Sequence, residues 1–275
     1  MKKFSFAKFA MHLYLLIFTL FALFPLALLI MNGLKPKLAN MTSPFDIPKS
    51  LTLDSVMQAW ITAGYGQAYL NSIIVCGITI CFVVVAASMA AYALTKLNFK
   101  GSNAVLFILL IIISVPLGVY LVPIFFIYIR LKLMDTLVGI IIIYCGIYLP
   151  FNVFLFRAYF LSIPKELNES AYIDGLNDFQ VYLRIIMPIA KPVIATVAII
   201  TGLWSWNEFF FANALLQSDA TRTVATKYMA FTGNFSTDWN MISSAGIIAI
   251  VPILIAYFFL QDKFVSGITE GSIKG

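Results

Sequence analysis

Six runs of mostly apolar residues, each long enough to cross a lipid bilayer, constrain this chain more than any other feature of its sequence. They lie at about Leu13 to Met31, Ser72 to Leu94, Val105 to Ile129, Leu137 to Phe156, Ile189 to Leu215 and Ile242 to Leu260. A helix of ~20 apolar residues spans the ~30 Å hydrocarbon core. Inside that core the backbone must satisfy its own hydrogen bonds, which a helix does and an open strand does not. Composition agrees: 61% of the 275 residues are hydrophobic and 11% charged, whereas soluble domains average about 45–50% and about 25%. A water-soluble fold could not hide that much apolar surface. The expected fold is an all-α membrane protein of six transmembrane helices.

The first run is longer than the ~7–15 residues of a signal-peptide core, so it is expected to be retained as a helix. The formal net charge of +6 suits topology signals better than nucleic-acid binding. Lys2, Lys3 and Lys8 before the first run, and Lys96 and Lys100 in a very short connection, carry most of the bias. They place both termini in the cytoplasm of a multi-pass protein. Residues 157–188 then form the long cytoplasmic segment. Cys76, Cys81 and Cys145 lie in apolar stretches without a CxxC pair or a Cys/His cluster, and no metal site is expected. Pro25, Pro116, Pro123, Pro150, Pro192 and Pro252 fall inside the runs and are expected to kink them. With no repeat or low-complexity stretch, residues 1–275 are read as one transmembrane domain.

The cytoplasmic segment is heavily punctuated. Pro164 suits a first helical position, Glu166 the positive end of a helix, and Gly175 the residue after a helix, where positive φ is needed. Asn177 and Gln180 fit an N-cap and its capping partner for a second helix running toward Met187-Pro188. Two short helices joined by a tight turn make a stiff projection able to transmit force to a partner. The alternative is a hairpin lying in the membrane interface, with Leu167, Tyr172, Ile173 and Leu176 among the headgroups.

The string Glu169-Ser170-Ala171-x-x-Asp174-Gly175, followed by Met187-Pro188, resembles the EAA loop of ATP-binding-cassette (ABC) importer permeases. Gly175 lies 100 residues from the C-terminus, as the family's glycine usually does. Ser170, Leu176 and Met187 are mild departures. The resemblance implies the MetI-like permease bundle and a coupling helix that docks on an ATPase subunit, a role that falls to Glu169, Ala171, Asp174 and Gly175.

Further strings narrow the resemblance to the carbohydrate-uptake branch, similar to MalG-like subunits of maltose transporters. They are Ala90-Ala91-Tyr92-Ala93-Leu94-Thr95-Lys96, Trp204-Ser205-Trp206-Asn207-Glu208-Phe209, and the tail with Gly267, Gly271, Lys274 and Gly275. The branch implies a sugar importer of the bacterial plasma (inner) membrane, moving a carbohydrate, an oligosaccharide by branch membership, inward by alternating access. It implies a second permease as heterodimer partner, two ABC ATPase subunits holding ATP and Mg, and an extracellular or periplasmic sugar-binding protein. The tail residues Gly271, Lys274 and Gly275 would contact the ATPase, and the polar stretch Gln217 to Asn240 would approach the binding protein.

Glu208 is the ionisable residue well inside a predicted span, where a charge costs at least ~2.5 kcal/mol unless paired or hydrated. With Trp204, Phe211 and Leu215 it would share one helical face. Trp206, Asn207 and Glu208 are candidates for lining a sugar pathway; equally, Asn207 and Glu208 could bond across helices to hold the bundle.

The chain has no Gly-x-x-x-x-Gly-Lys-Ser/Thr phosphate loop, no Ser/His/Asp set and no His-Glu-x-x-His, so a transport subunit and not an enzyme is expected, with ATP hydrolysed elsewhere. An ion-driven secondary transporter is the rival; it would need more intramembrane carboxylates than Glu208. A scaffold without transport is the third class.

Overall fold

The computed structural model describes residues 6–36, 44–48, 50–97, 99–231 and 238–272, and those residues form helices and connections with no strand. Among the described residues four helices are long and apolar enough to cross a membrane, or up to six if each of two bent pairs is one span. The chain divides into two compact units, Met1–Gly66 with Lys227–Pro252, and Gln67–Thr226 with Ile253–Gly275.

The first unit holds α1 (Phe6–Gly33), α2 (Asp54–Ala63) and the beginning of α11 (Trp239–Ser272). Lipid offers no hydrophobic drive for helices to associate, so close packing and hydrogen bonds must do it. Gly33 and Gly246 supply the close approach: a methyl group on Gly33 would collide with Ile247 and one on Gly246 would lie 2.7 Å from Leu29. The carbonyls left over at the end of α1 are then satisfied by α11. Asn240 Nδ2 donates to the Asn32 and Lys35 carbonyls (2.9 and 2.8 Å), and Ser244 Oγ donates to the Gly33 carbonyl (3.1 Å).

The second unit is built around α6 (Leu137–Ser162), half of whose span is buried. Thr136 caps it, its hydroxyl oxygen accepting from the Gly139 N–H at 3.0 Å. Against it stand α3 (Tyr65–Lys96), the bent pair α4 (Ser102–Ser114) and α5 (Leu117–Leu131), and α9 (Lys191–Asn207). Tyr144, Phe156, Phe160 and Phe211 are fully buried in the shared core. Between α6 and α9 come α7 (Glu166–Ile173) and α8 (Asp178–Ile189).

Two expected helices are interrupted. The run at Val105 to Ile129 bends by 95° between α4 and α5, because Val115, placed before Pro116, is extended at ψ 125 as a residue preceding proline prefers. The run at Ile189 to Leu215 breaks after Asn207, where Glu208 is extended (ψ 117), and resumes as α10 (Phe210–Leu215). By contrast Pro25, Pro123, Pro150 and Pro252 stay inside helices. The α2 helix has no counterpart among the apolar runs, and α8 meets α9 at 78°.

Candidate functional site

The punctuated segment folds as the sequence suggests in its turn and slightly differently at its start. Helix α7 begins at Glu166, after Pro164 rather than on it. It ends in a double backbone closure: the Leu176 N–H donates to the Ala171 carbonyl and the Gly175 N–H to the Tyr172 carbonyl, both at 3.0 Å. This is the Schellman arrangement, which needs a left-handed residue after the cap. Gly175 provides it at φ 81. The Asn177–Gln180 capping box opens α8, with the two reciprocal bonds at 2.9 and 3.0 Å. Tyr172 Oη donates to Asp178 Oδ1 (2.7 Å), tying one helix to the next, and this bond raises the pKa of the phenol.

Three of the four predicted coupling residues, Glu169, Asp174 and Gly175, are exposed on this projection. Ala171 is buried and serves inside the turn. Ile173 is 86% exposed at the end of α7.

Glu208 lies where α9 breaks. Its Oε1 accepts from the Phe211 N–H (2.9 Å), and its Oε2 accepts from the Ala212 N–H (3.0 Å) and the Tyr144 hydroxyl (2.7 Å). The carboxylate thus satisfies the first free donors of α10 and bonds to α6, the cross-helix alternative drawn from the sequence. The continuous face expected through Phe211 and Leu215 is absent because the helix ends; both side chains are buried.

Beside this break the bend between α4 and α5 opens a cavity of about 470 Å³. Ile112, Ile113, Val115, Leu117 and Tyr120 line it from that bend, with Tyr148 and Phe151 from α6 and Trp204, Asn207 and Glu208 from the α9 end. Trp204 packs on Tyr148 (5.4 Å) and Phe151 (5.1 Å). Asn207 donates to the Leu203 carbonyl at 2.8 Å. Trp206 points elsewhere, meeting Tyr69 edge-on at 5.6 Å. Trp204, one turn from Glu208, is the ring the cavity uses; its spacing from Glu208 was the available signal.

Residues 216–224 are pinned rather than loosely solvated. Asp135, itself left-handed at φ 56, accepts from the Gln217 and Ser218 N–H groups (2.9 and 3.0 Å) and from the Thr221 hydroxyl, while its own N–H donates to the Leu215 carbonyl (2.8 Å). Burial pushes the Asp135 carboxyl up, but these donors outweigh it and hold it at about 2. Asn71 donates to the carbonyls of Ala220 and Arg222 (2.8 and 2.9 Å), and Ser72 Oγ accepts from the Val224 N–H (2.9 Å). Residues 232–237 of the polar stretch lie outside the described residues. Of the tail, Gly271 falls within α11, and Lys274 and Gly275 lie outside the described residues.

The sequence profile of the family described as "binding-protein-dependent transport system inner membrane component" matches residues 82–270. A probable ABC transporter permease protein, YurM of Bacillus subtilis, is 32% identical over 274 residues, covering 100% of this chain and 91% of the relative. The arabinooligosaccharides transport system permease protein AraQ of Halalkalibacterium halodurans is 33% identical over 259 residues, covering 92% of each. Among solved structures, a chain of a bacterial ABC transporter involved in import of the acidic polysaccharide alginate superposes with a TM-score of 0.83 at 22% identity, over 96% of this chain and 100% of that one. At that identity the likeness is one of fold.

Proposed function

Since this chain belongs to the family of inner-membrane components of binding-protein-dependent transport systems, we propose that it is one permease of an ATP-driven carbohydrate importer, paired with a second permease and two separate ATPase subunits. ATP and Mg are held by the ATPases. Both termini face the cytoplasm, and a binding protein outside delivers the sugar. Closure of the ATPases pushes on α7, the bundle rearranges against its sister, and the sugar crosses inward by alternating access. An oligosaccharide is the substrate class, supported by the relative named for arabinooligosaccharides. The cavity beside Trp204 supports a pathway role, since aromatic faces with a few polar groups are how sugar rings are held.

The observation that carries this function is the exposed, doubly closed projection ending in Ile173 and Gly175, a rigid apolar tip suited to a groove on a partner. Gly271, Lys274 and Gly275 are assigned a second contact with the ATPases.

Affinity purification of the tagged chain in mild detergent tests the assignment. An ATPase, a second permease and a sugar-binding protein should accompany the wild-type chain, and Ile173→Asp should lose the ATPase while keeping the second permease. A homo-oligomer without an ATPase would sink the proposal and favour an ion-driven transporter.

A further inference from the structure

The segment after the projection is not a plain α-helix, since Tyr182–Ile186 forms a π-helical turn within α8. Val181 and Ile186, five residues apart, would stand about 140° apart around an α-helix. Both are nevertheless fully buried, with Tyr182 beside them. The i→i+5 turn is what brings the three toward one face. Tyr182 there meets α3 at a place of small side chains, where Ala87, Ser88 and Ala91 are all buried. Small residues let helices approach closely.

The polarity of the contact can be read from hydrogen counting. Ser88 Oγ donates to the Val84 carbonyl at 2.6 Å, and a hydroxyl has one hydrogen to give. The 2.8 Å contact between Ser88 Oγ and Tyr182 Oη is therefore donated by Tyr182. The Tyr182 ring also packs on Tyr92, one turn further along α3, at 5.4 Å. On the other side, the Tyr172–Asp178 bond ties α7 to α8, and the Asn177–Gln180 capping box fixes the first turn of α8.

Resting on the coupling role proposed for α7, we infer that Tyr182 is a positioning residue: its hydroxyl, held on Ser88, delivers displacement of the coupling helix to α3. Tyr182→Phe removes the bond and keeps the ring on Tyr92. It also leaves the Ser88 hydrogen on the Val84 carbonyl, so no buried donor loses its partner.

The complex that co-purifies with the tagged chain, reconstituted in nanodiscs, is compared by hydrogen–deuterium exchange without nucleotide and after trapping with ATP and orthovanadate. In the wild type, trapping should change exchange over residues 166–176 and over residues 82–96. In Tyr182→Phe the ATPase should co-purify as before and the change over 166–176 should persist. The change over 82–96 should fall by roughly fivefold, the factor that one lost hydrogen bond of this kind imposes on an equilibrium. Ser88→Ala should behave alike, and Ser88→Thr, which keeps a hydroxyl, should retain the wild-type response. An unaltered 82–96 response in both Tyr182→Phe and Ser88→Ala overturns the inference, as does a wild type that responds at 166–176 and not at 82–96. Absence of an ATPase from the wild-type complex, or no response at 166–176, overturns the coupling role itself and the inference with it.

Discussion

The Asp135 carboxylate accepts the Ser218 backbone N–H at 3.0 Å across a separation of 83 residues, and the Gln217 N–H and Thr221 hydroxyl converge on the same oxygen. One side chain thereby shapes the connection that follows α10. The polar stretch beginning at Gln217 has a defined conformation at its start, with Asn71 and Ser72 holding it further along.

This clasp should be insensitive to pH in the physiological range. The folded Asp135 carboxyl is depressed from 3.8 to about 2. A depressed carboxyl stabilises the fold in full above its unfolded value, and that contribution is lost as pH falls through the folded value. Thermal melts of the detergent-solubilised protein should therefore show no change arising from this group between pH 7 and 5, where its stabilisation is complete, and a loss only as pH falls below about 4. Asp135→Asn should cost ~1 kcal/mol after allowance for solvent screening and speed hydrogen exchange over residues 216–224. Unchanged exchange there would refute the clasp.

Gly175 is required for its conformation and not for its size. Among the described residues nothing lies within 4 Å of where a Cβ would sit, but φ is 81. Asn tolerates the left-handed region and β-branched residues do not. Gly175→Asn should retain most ATPase in the purified complex, and Gly175→Val should lose most of it, at a local cost of about 1–3 kcal/mol. Equal retention in both variants would contradict this account.

Glu208 and Tyr144 should behave as a coupled pair. Glu208→Gln replaces one acceptor oxygen by a donor facing backbone N–H groups or the Tyr144 hydroxyl, and Tyr144→Phe removes that hydroxyl bond. Each should lower stability by about 1–3 kcal/mol. The double variant should lose at least 0.5 kcal/mol less than the sum, roughly the coupling expected for direct partners. Strict additivity in thermal or denaturant unfolding would show that the contact contributes nothing.

Trp204 and Trp206 should separate in transport measurements. Trp204 lines the cavity with Tyr148 and Phe151, whereas Trp206 packs on Tyr69. Trp204→Ala should raise the apparent KM for uptake by roughly 2- to 12-fold, the range for a lost aromatic contact, with a smaller effect from Trp206→Ala. The reverse order would move the pathway to the other side of α9.

The segment from Glu166 to Ile189 was the most legible part of the chain, because its signals are local. Gly175, Asn177 and Gln180 act on backbone groups within three or four residues, so their roles can be read without knowing any neighbour. The apolar runs were legible for a similar reason, since crossing lipid depends on length and composition. The prolines were not. Pro116 marks a 95° bend while Pro150 sits inside an unbroken α6, and the sequence treats them alike. Whether a proline ends a helix depends on what can satisfy the carbonyl it frees, which is a property of the surroundings.

By itself, then, the sequence determined that this chain enters a membrane as helices, that residues 157–188 hold two short helices joined by a capped glycine turn, and that its motifs resemble those of an importer permease. The first two follow from short-range rules, hydrophobic length, capping and turn chemistry, and the third from resemblance of short strings to a family. Only the tertiary structure decided that Glu208 is consumed in capping α10 and bonding Tyr144, that Trp204 and not Trp206 faces the cavity, and that Tyr182 reaches Ser88. Each of those depends on contacts between residues 64 or more positions apart, or on where a helix breaks, and a one-dimensional pattern does not encode which partner will be there.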